Sequence, residues 1–285
     1  MPKFEVPEVD LSQYSMRELV APPLAVLVVA LAVIGATFAL TGSPVALGIE
    51  FTGGSEAVVD SSASQSAVAD AFVSDPSSIR SVGTGGGTYI VTFQSENVPD
   101  VRDDADADIT IVQSQTTSAT FGGSTQQLAV LGVVGGFVGM SIVVFLLFRS
   151  FVPSIAVVLS AFSDIVVPVA LMNLFGIQLS LGTVAALLML IGYSVDSDIL
   201  LNNHVLRRSG GFWESVHRAM RTGVTMTLTS ISAMTVMAAV SYFFGIQLLT
   251  SIAIVLVLGL ATDLMNTYML NVTLLRWYKF EGVKR

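Results

Sequence analysis

The sequence predicts a polytopic α-helical membrane protein with six transmembrane helices and a small α+β extracytoplasmic domain between helices 1 and 2. Hydrophobic residues make up 53% of the 285 residues, charged residues make up 12%, and mean hydropathy is +0.75. Soluble domains carry about 25% charged residues, so this composition argues against an ordinary soluble enzyme. The chain has no cysteine, which excludes disulfides and thiol catalysis. The net charge of -8 argues against a nucleic-acid partner, since such proteins present a basic surface.

Six apolar stretches are long enough to cross a bilayer, which takes about 20 residues of helix. They cover residues 20–40, 127–148, 152–174, 179–201, 223–243 and 247–270. The first stretch is too long and too uniformly apolar for a cleaved signal, so we expect a permanent anchor. The chain then divides into an N-terminal segment 1–19, helix 1 at 20–40, a polar domain 41–126, helices 2–6 within 127–270 and a tail 271–285.

The basic residues predict the orientation of these helices. Eleven of the 13 lysines and arginines fall in the two terminal segments and in the connections that lie on the same side of the membrane. The region 41–126 holds only Arg80 and Arg102. Because basic residues accumulate on the cytoplasmic side, we expect a multi-pass protein of the cell membrane, in contact with lipid. Both termini would then be cytoplasmic and residues 41–126 outside.

The polar region predicts a small α+β domain. Its apolar patterns indicate strands at 45–59, 80–82, 88–93 and 109–114, and a helix at 64–73. The triple glycine near residue 85 lacks the lysine of a phosphate-binding loop, so we interpret it as a hairpin turn. Residues 98–107 fit either a second helix or a loop.

An acidic surface characterises this domain, which holds 11 of the 21 acidic residues. Five of them lie close together, at Asp100, Asp103, Asp104, Asp106 and Asp108. Their spacing is not that of a calcium-binding EF-hand loop, and solvation of a surface in high salt is the simpler interpretation. Lysine is also scarce, at 3 residues against 10 arginines. This composition suggests a halophilic source.

Four acidic residues lie inside the apolar stretches, where an ionisable side chain is costly and is a functional candidate by default. They are Asp164, Asp196, Asp198 and Asp263, and the nearest basic residue is Arg221. A carboxylate that alternates between a proton and an arginine partner is a proton relay. Asp196 and Asp198 point to nearly opposite faces of one helix, so they cannot both line one path. In the alternative interpretation, one of them only hydrates or caps the helix end.

A short internal repeat joins the last four stretches. The sequence FGIQL at residues 175–179 recurs at residues 244–248, each time between two apolar stretches. Paired hairpins around a charged centre are typical of transporters. His204 and His217 lie in a connection that we expect to be a solvated loop, with no metal site. We find no nucleotide site and no nucleophile–base pair, so we expect neither a cofactor nor an enzyme.

Two motifs resemble those of the SecF protein-export family. Residues 48–55 look like its GIDFTGGT signature, and residues 192–195 resemble its GYSV motif. The pair Arg221 and Thr222 is similar to an Arg-Thr pair of that family. The SecD family shares related motifs, but it has a much larger outer region. The matching motif residues are Gly48, Phe51, Thr52, Gly53, Gly54, Gly192, Tyr193 and Ser194.

The resemblance implies a member of the resistance-nodulation-division superfamily that works with SecD beside the SecY channel. It implies that ion flow drives export and that the outer domain draws the translocating polypeptide outward. Bacterial members place the motif's acid at the position of Ser197, whereas the SecD pattern places it at Asp196. We therefore expect Asp196 to be the ion-relay residue, with Asp198 second. The acidic, lysine-poor composition resembles an archaeal, haloarchaeal type.

Two other functions fit the same sequence. The first is a passive scaffold that only stabilises an assembly with SecD. The second is a small-molecule efflux transporter of the same superfamily, although such pumps usually have twelve spans and large outer domains. Neither the coupling ion, proton or sodium, nor the stoichiometry with SecD follows from the sequence.

Overall fold

The elements follow one another as two groups, a helical bundle and a small sheet domain inserted into it. The structure is a computed structural model that describes residues 10–82, 87–102, 105, 107–207 and 211–282. In chain order the elements are α1 (Met16–Thr41), α2 (Ile49–Thr52), β1 (Gly54–Asp60), α3 (Gln65–Asp70), β2 (Ser78–Val82), β3 (Thr88–Phe93), β4 (Thr110–Thr117), α4 (Ala119–Phe148), α5 (Phe151–Phe175), α6 (Leu181–Arg207), α7 (Phe212–Phe243), α8 (Gln247–Met265) and α9 (Val272–Trp277). Two π-helical segments, Asn266–Asn271 and Tyr278–Gly282, continue the last helix.

Six helices are long and apolar enough to cross a membrane, which confirms the predicted fold class. They are α1, α4, α5, α6, α7 and the continuous helical stretch that begins with α8. Two of them, α1 and α4, begin at side-chain caps that hydropathy does not detect. Helix α1, for example, begins at Met16 because the Ser15 hydroxyl accepts from the Glu18 amide while the Glu18 carboxylate accepts from the Ser15 amide.

The helices α4 and α7 begin well before the apolar stretches predicted at residues 127 and 223. The hydroxyl of Ser118 caps α4, so its helix begins at Ala119. Helix α7 begins at Phe212, and its polar first turns are stabilised by the ion pair of Arg218 with Glu214, 2.7 Å apart. The connection expected as a solvated loop is therefore mostly helical.

Both histidines of that connection lie in helices. His204 is a buried residue of α6, where its Nδ1 lies 2.8 Å from the Leu200 carbonyl oxygen. The expectation that His204 is solvated is therefore wrong. His217 lies on α7 and is 3.9 Å from Asp10. The contact of His217 with Asp10 joins the N-terminal segment to the end of the bundle that is far from the sheet.

The sheet domain, residues 42–118, contains a four-stranded antiparallel sheet with strand order β2-β3-β1-β4. Helix α3 covers one face, where Val68 and Phe72 pack against Val91 and Phe93. The rings of Phe72 and Phe93 meet edge to face with centroids 5.0 Å apart. This arrangement confirms the predicted α+β domain between the first two long helices.

Three details of the sheet domain differ from the prediction or lie beyond it. The strand predicted at 45–59 begins only at Gly54, since residues 45–48 are irregular apart from a single bridge of Leu47 to Leu179 and residues 49–52 form the helical turn α2. Positive φ angles of +75° at Gly53 and +118° at Gly54 then redirect the chain into β1. Described residues between 98 and 107 contain no helix, and Asp103, Asp104 and Asp106 lie outside the described residues. The predicted glycine turn at 83–86 also lies outside the described residues. The strands before and after it pair with each other, with Val82 opposite Thr88.

The bundle has an inner and an outer layer. Helices α5, α6 and α8 pack against one another and are largely buried, whereas α1, α4 and α7 expose most of their apolar side chains. The two copies of the FGIQL repeat connect α5 to α6 and α7 to α8, and Gly176 and Gly245 adopt positive φ angles of +66° and +71° there. The sheet domain lies over this end of the bundle, which we call the sheet end.

Candidate functional site

Three of the four acidic residues predicted within the spans meet in the inner layer of the bundle. Asp164 on α5, Asp198 on α6 and Asp263 on α8 have 1%, 0% and 1% of their surface exposed. Asp196 is exposed on the other face of α6, as expected for residues two positions apart in a helix. The prediction that Asp196 and Asp198 point to different faces is confirmed, and it is Asp198 that faces the other acids.

Asp164 is held by hydrogen bonds from two neighbouring segments. The Ser194 hydroxyl of α6 donates to its Oδ2 across 2.6 Å, and the Asn266 side-chain amide donates to its Oδ1 across 2.7 Å. Ser194 belongs to the second motif, so that motif contacts the acid directly. These bonds tie α5 to α6 and to the last long helix.

Asp263 and Asp198 are connected through hydroxyl groups. The Ser197 hydroxyl lies 3.0 Å from both carboxylate oxygens of Asp263. The Thr267 hydroxyl donates to Asp198 across 2.9 Å and lies 3.4 Å from Asp263. Ser194, Ser197 and Asp198 are spaced three and four residues apart, so they share the face of α6 that meets α5 and α8.

A π-helical segment brings further polar side chains to these acids. It covers Asn266–Asn271, directly after α8, and π-helical turns are rare and often occur at functional sites. Its wider turn allows Asn266 and Asn271, five positions apart, to donate to Asp164 and Asp198. Sequence reasoning missed both asparagines. The available signal was the presence of polar residues within the last apolar stretch, shortly after Asp263.

No basic side chain balances these carboxylates within the described part of the chain. The two ion pairs within 4.0 Å there join His217 to Asp10 and Arg218 to Glu214. Arg221 is exposed on α7, and no described contact joins it to the acids. The structure therefore does not form the aspartate–arginine pair that the sequence suggested.

The chemistry of this cluster follows from burial and charge. Removing an ionised carboxylate from water is costly unless it is paired or hydrogen-bonded, and neighbouring carboxylates repel one another. Three buried acids without a basic partner require protons or bound cations to limit their charge. The cluster therefore needs a proton or another positive ion to balance its charge inside the bundle.

The first motif forms the junction between the sheet domain and α6. The amide of Gly48 donates to the Leu179 carbonyl across 2.8 Å, and the amide of Leu179 donates to the Ala46 carbonyl across 2.7 Å. The carboxylate of Glu50 accepts a hydrogen bond from the amide of Leu181, the first residue of α6. An amide that has no partner within its own helix is thus satisfied by the sheet domain.

The same motif also packs against α4. A Cβ atom on Gly122 would lie 2.9 Å from the backbone of Phe51, and one on Gly53 would lie 2.6 Å from Ala119. Phe51 itself is buried, and the Thr52 hydroxyl bonds the Gly48 carbonyl across 3.3 Å. The motif residues therefore allow the chain to pass between the sheet-end turns of α4 and α6.

Arg80 makes a second connection between the sheet and the bundle. Its guanidinium donates to the Gly176 carbonyl across 3.2 Å and to the Gln178 side chain across 3.0 Å. Glu56 lies beside it on β1, where burial raises the pKa of the carboxyl although the Arg80 charge opposes the shift. These residues border a cleft of about 1170 Å³ between the sheet and the loops of the sheet end.

The second motif lies in the middle of α6. Ser194 bonds Asp164 as described, and the Tyr193 hydroxyl lies 3.4 Å from the Thr227 hydroxyl of α7. A Cβ atom on Gly192 would meet no atom within 4 Å. Of the three motif residues, Ser194 is the one that touches the acidic cluster.

Comparison with known proteins gives a consistent family. A profile described as "Protein export membrane protein SecD/SecF, C-terminal" matches residues 97–281. Curated relatives named "Protein-export membrane protein SecF" are 65% identical in Haloferax volcanii and 60% identical in Haloquadratum walsbyi. In both comparisons the match covers 100% of this chain and 100% of the relative.

Solved structures share the fold. The crystal structure of SecDF from Thermus thermophilus, described as a translocon-associated membrane protein, matches 96% of this chain with a TM-score of 0.71 and 19% identity. A super-membrane-facing form of SecDF matches 99% of it with a TM-score of 0.63 and 20% identity. This chain spans 39% and 40% of those two chains, respectively.

Proposed function

Since this chain belongs to the SecF family of protein-export membrane proteins, we propose that it acts with SecD to promote polypeptide export across the cytoplasmic membrane, driven by ion flow. The observation that carries the ion-driven part is the buried cluster of Asp164, Asp198 and Asp263. These three acids lie on α5, α6 and α8, and no described basic side chain neutralises them. They form a site where a positive ion is bound and released within the membrane.

The orientation supports this role. With the sheet domain outside and both termini in the cytoplasm, the basic residues lie on the side that the positive-inside rule requires. The sheet domain then faces polypeptides that emerge from the SecY channel. The acids lie between it and the cytoplasm, along the path of an inward-moving ion.

The junction at the sheet end supplies a mechanical connection. Glu50 holds the first amide of α6, and Arg80 holds the loop that precedes it. Helix α6 also carries Ser194, Ser197 and Asp198. A change of ion occupancy that shifts α6 is therefore transmitted to the sheet domain through these contacts, and the polypeptide bound outside moves with it.

The relay in this proposal consists of Asp164, Asp198 and Asp263. The sequence analysis placed Asp196 first among the relay candidates and Arg221 as their nearest basic residue, but both are exposed and outside the cluster. We therefore leave them out of the proposed relay. Asp196 lies on an exposed face of α6 and Arg221 on an exposed face of α7. We propose that these faces contact SecD.

The test compares Asp198→Asn, Asp164→Asn and Asp263→Asn with the control Asp196→Asn. Export of a secreted reporter is measured in cells, and co-purification of SecD and SecY from membranes measures assembly. We expect export to fall at least tenfold, or about 1.4 kcal/mol, in the first three variants while assembly and the control stay unchanged. Normal export in all three buried variants would favour the passive scaffold.

A further inference from the structure

Two basic side chains of the last helical stretch lie over two neighbouring aromatic rings. The Arg276 guanidinium lies 5.2 Å from the centroid of the Trp213 ring, and Lys279 Nζ lies 5.7 Å from the centroid of the Phe212 ring. The rings of Phe212 and Trp213 are nearly perpendicular, with centroids 5.1 Å apart. Both cations are therefore held against one pair of rings at the start of α7.

Backbone carbonyl groups hold the same two cations. Arg276 donates to the Tyr14 carbonyl across 3.4 Å, and Lys279 donates to the Val205 carbonyl across 3.4 Å. These contacts join the last helical stretch to the N-terminal segment and to α6. Each contact uses a single N–H group, and both side chains carry several, so donors remain for a ligand.

Neither cation has an acidic partner within 4.0 Å among the described residues. The carboxylate of Glu214, which follows Trp213 in α7, is paired with Arg218 at 2.7 Å. Glu281 follows Lys279 by two residues, but it is exposed and forms no such pair with a described residue. Rings and carbonyl groups thus position two positive charges without neutralising them.

The position of these residues along the bundle matches the headgroup layer of a bilayer. At a helical rise of about 1.5 Å per residue, Phe212 and Arg276 lie about 43–47 Å from the sheet ends of their helices, Phe243 and Gln247. A bilayer is about 40–45 Å thick when its headgroups are included. With the sheet ends at one membrane surface, the two cations therefore lie at the other.

Exposed aromatic rings lie beside the two cations. Trp277 is 43% exposed and Phe280 is 60% exposed, and the Phe280 ring packs against Phe212 with centroids 5.6 Å apart. Tryptophan is enriched at the boundary between headgroups and hydrocarbon, where one end of its ring is apolar and the other is wet. A lipid with its acyl chains against these rings would place its phosphate at the depth of Arg276 and Lys279.

We propose that Arg276 and Lys279 bind the headgroup of an anionic phospholipid, with Trp277 and Phe280 against its acyl chains. Guanidinium groups bind phosphate oxygens through paired hydrogen bonds, and an ammonium group adds a point charge. Basic pockets between helices on the cytoplasmic side are typical sites for such headgroups. A soluble anion would neutralise the two cations but would leave both exposed rings without an apolar neighbour.

The bound lipid would stabilise one end of the bundle, whether or not an ion drives export. Its phosphate would lie at the contacts that join the last helical stretch to α6, α7 and the N-terminal segment. Neutralising the two cations would remove their mutual repulsion at this junction. The site is separate from the acidic cluster, so its failure would leave the proposed export function untouched.

The test measures thermal unfolding of the full-length chain in detergent micelles that contain increasing amounts of phosphatidylglycerol. A ligand of the folded chain raises the midpoint with its concentration. We expect Arg276→Gln and Lys279→Gln each to weaken the apparent lipid affinity about fivefold, the effect of one basic residue at an anionic surface. Arg276→Lys keeps the charge and should weaken it less. Lys279 is exposed, so its variant serves if the Arg276 variants do not fold.

The matched control is Arg149→Gln, which removes an exposed arginine from the turn between α4 and α5 at the same end of the bundle. Its lipid affinity should stay unchanged. Phosphatidylcholine, which has no net charge, and inorganic phosphate, which has no acyl chain, should each raise the midpoint less than phosphatidylglycerol. The preference should persist at about 1 M salt, where the screening length is about 3 Å and direct contacts dominate.

Four results would overturn the proposal. The first is a midpoint that does not respond to phosphatidylglycerol, and the second is an equal response to phosphatidylcholine or inorganic phosphate. The third is a preference that high salt abolishes or that Arg149→Gln weakens equally, since either would indicate a diffuse charge effect. The fourth is unchanged lipid affinity in both glutamine variants of Arg276 and Lys279.

Discussion

The side-chain amide of Asn266 donates to the Asp164 carboxylate across 2.7 Å, so the first residue of the π-helical segment holds an acid of α5. Both residues are fully buried or nearly so, with 0% and 1% of their surface exposed. The other carboxylate oxygen accepts from Ser194. Asp164 is therefore the point at which α5, α6 and the last long helix are joined by polar contacts.

Replacing Asn266 with alanine should destabilise the bundle. The change removes a donor from a buried carboxylate, which costs about 1–3 kcal/mol when the acceptor stays unsatisfied. The unfolding midpoint in detergent should fall. Thr229→Ala is the matched control, because the exposed Thr229 hydroxyl bonds only the Thr225 carbonyl of its own helix. Equal midpoints in the two variants would contradict the tethering role.

Substitutions at two adjacent glycines of α4, Gly122 and Gly123, test whether the first motif packs tightly against that helix. A methyl group on Gly122 would lie 2.9 Å from the Phe51 backbone, whereas one on Gly123 would meet no atom within 4 Å. We expect Gly122→Ala to cost about 1–3 kcal/mol through overpacking. Gly123→Ala should be neutral or slightly stabilising, since alanine favours helix. The reverse order of stabilities, measured by thermal unfolding, would show that this contact is not tight.

The bond between Glu50 and the Leu181 amide can be tested by hydrogen exchange. Glu50→Ala leaves this amide of the first turn of α6 without its acceptor. Its exchange should become about tenfold faster, corresponding to a lost hydrogen bond of about 1.4 kcal/mol. The control is Glu96→Ala in an exposed loop of the same domain. Unchanged exchange at Leu181 in the Glu50 variant would exclude the coupling contact.

The buried carboxyl of Glu56 should make the stability of the sheet domain depend on pH. Burial raises its pKa above the ordinary 4.5, so folding favours the protonated carboxyl. This contribution is fully present below pH 4.5 and is lost as the pH rises through the raised pKa. The neutral Glu56→Gln should match the unmodified chain at low pH and exceed its stability above that window. Thermal midpoints across the pH range measure the difference.

The control for Glu56 is Glu96→Gln, since Glu96 is exposed in a loop of the same domain. Its midpoints should follow those of the unmodified chain at every pH. If Glu56→Gln also follows them, the carboxyl is not disfavoured by its burial.

The sheet domain shows how far local patterns predict a structure. The β-branched and aromatic residues after a glycine turn located the strand at 88–93, and the apolar spacing of Val68 and Phe72 located the buried side of the segment around α3. The pattern at 45–59 failed at residues 45–53, because a helical turn and two successive glycines with positive φ precede the strand. A backbone angle is not visible in an apolar pattern.

The acidic cluster shows what local sequence patterns do not predict. Burial costs identify an acid within an apolar stretch, and helical periodicity separates Asp196 from Asp198. Neither rule says which of the two faces the protein interior. Asn266 and Asn271 were missed because an α-helix would direct them to different sides, and only the π-helical turn brings both to the acids.

The sequence by itself determined the six long helices, the inserted sheet domain, the acids within the spans and the family motifs. These properties depend on hydropathy and spacing, which act over a few turns of chain. The tertiary structure decided that Asp198 meets Asp164 and Asp263, that Arg221 lies outside the cluster and that Glu50 caps α6. Those relations depend on which helix faces pack together, and that is a property of the whole bundle.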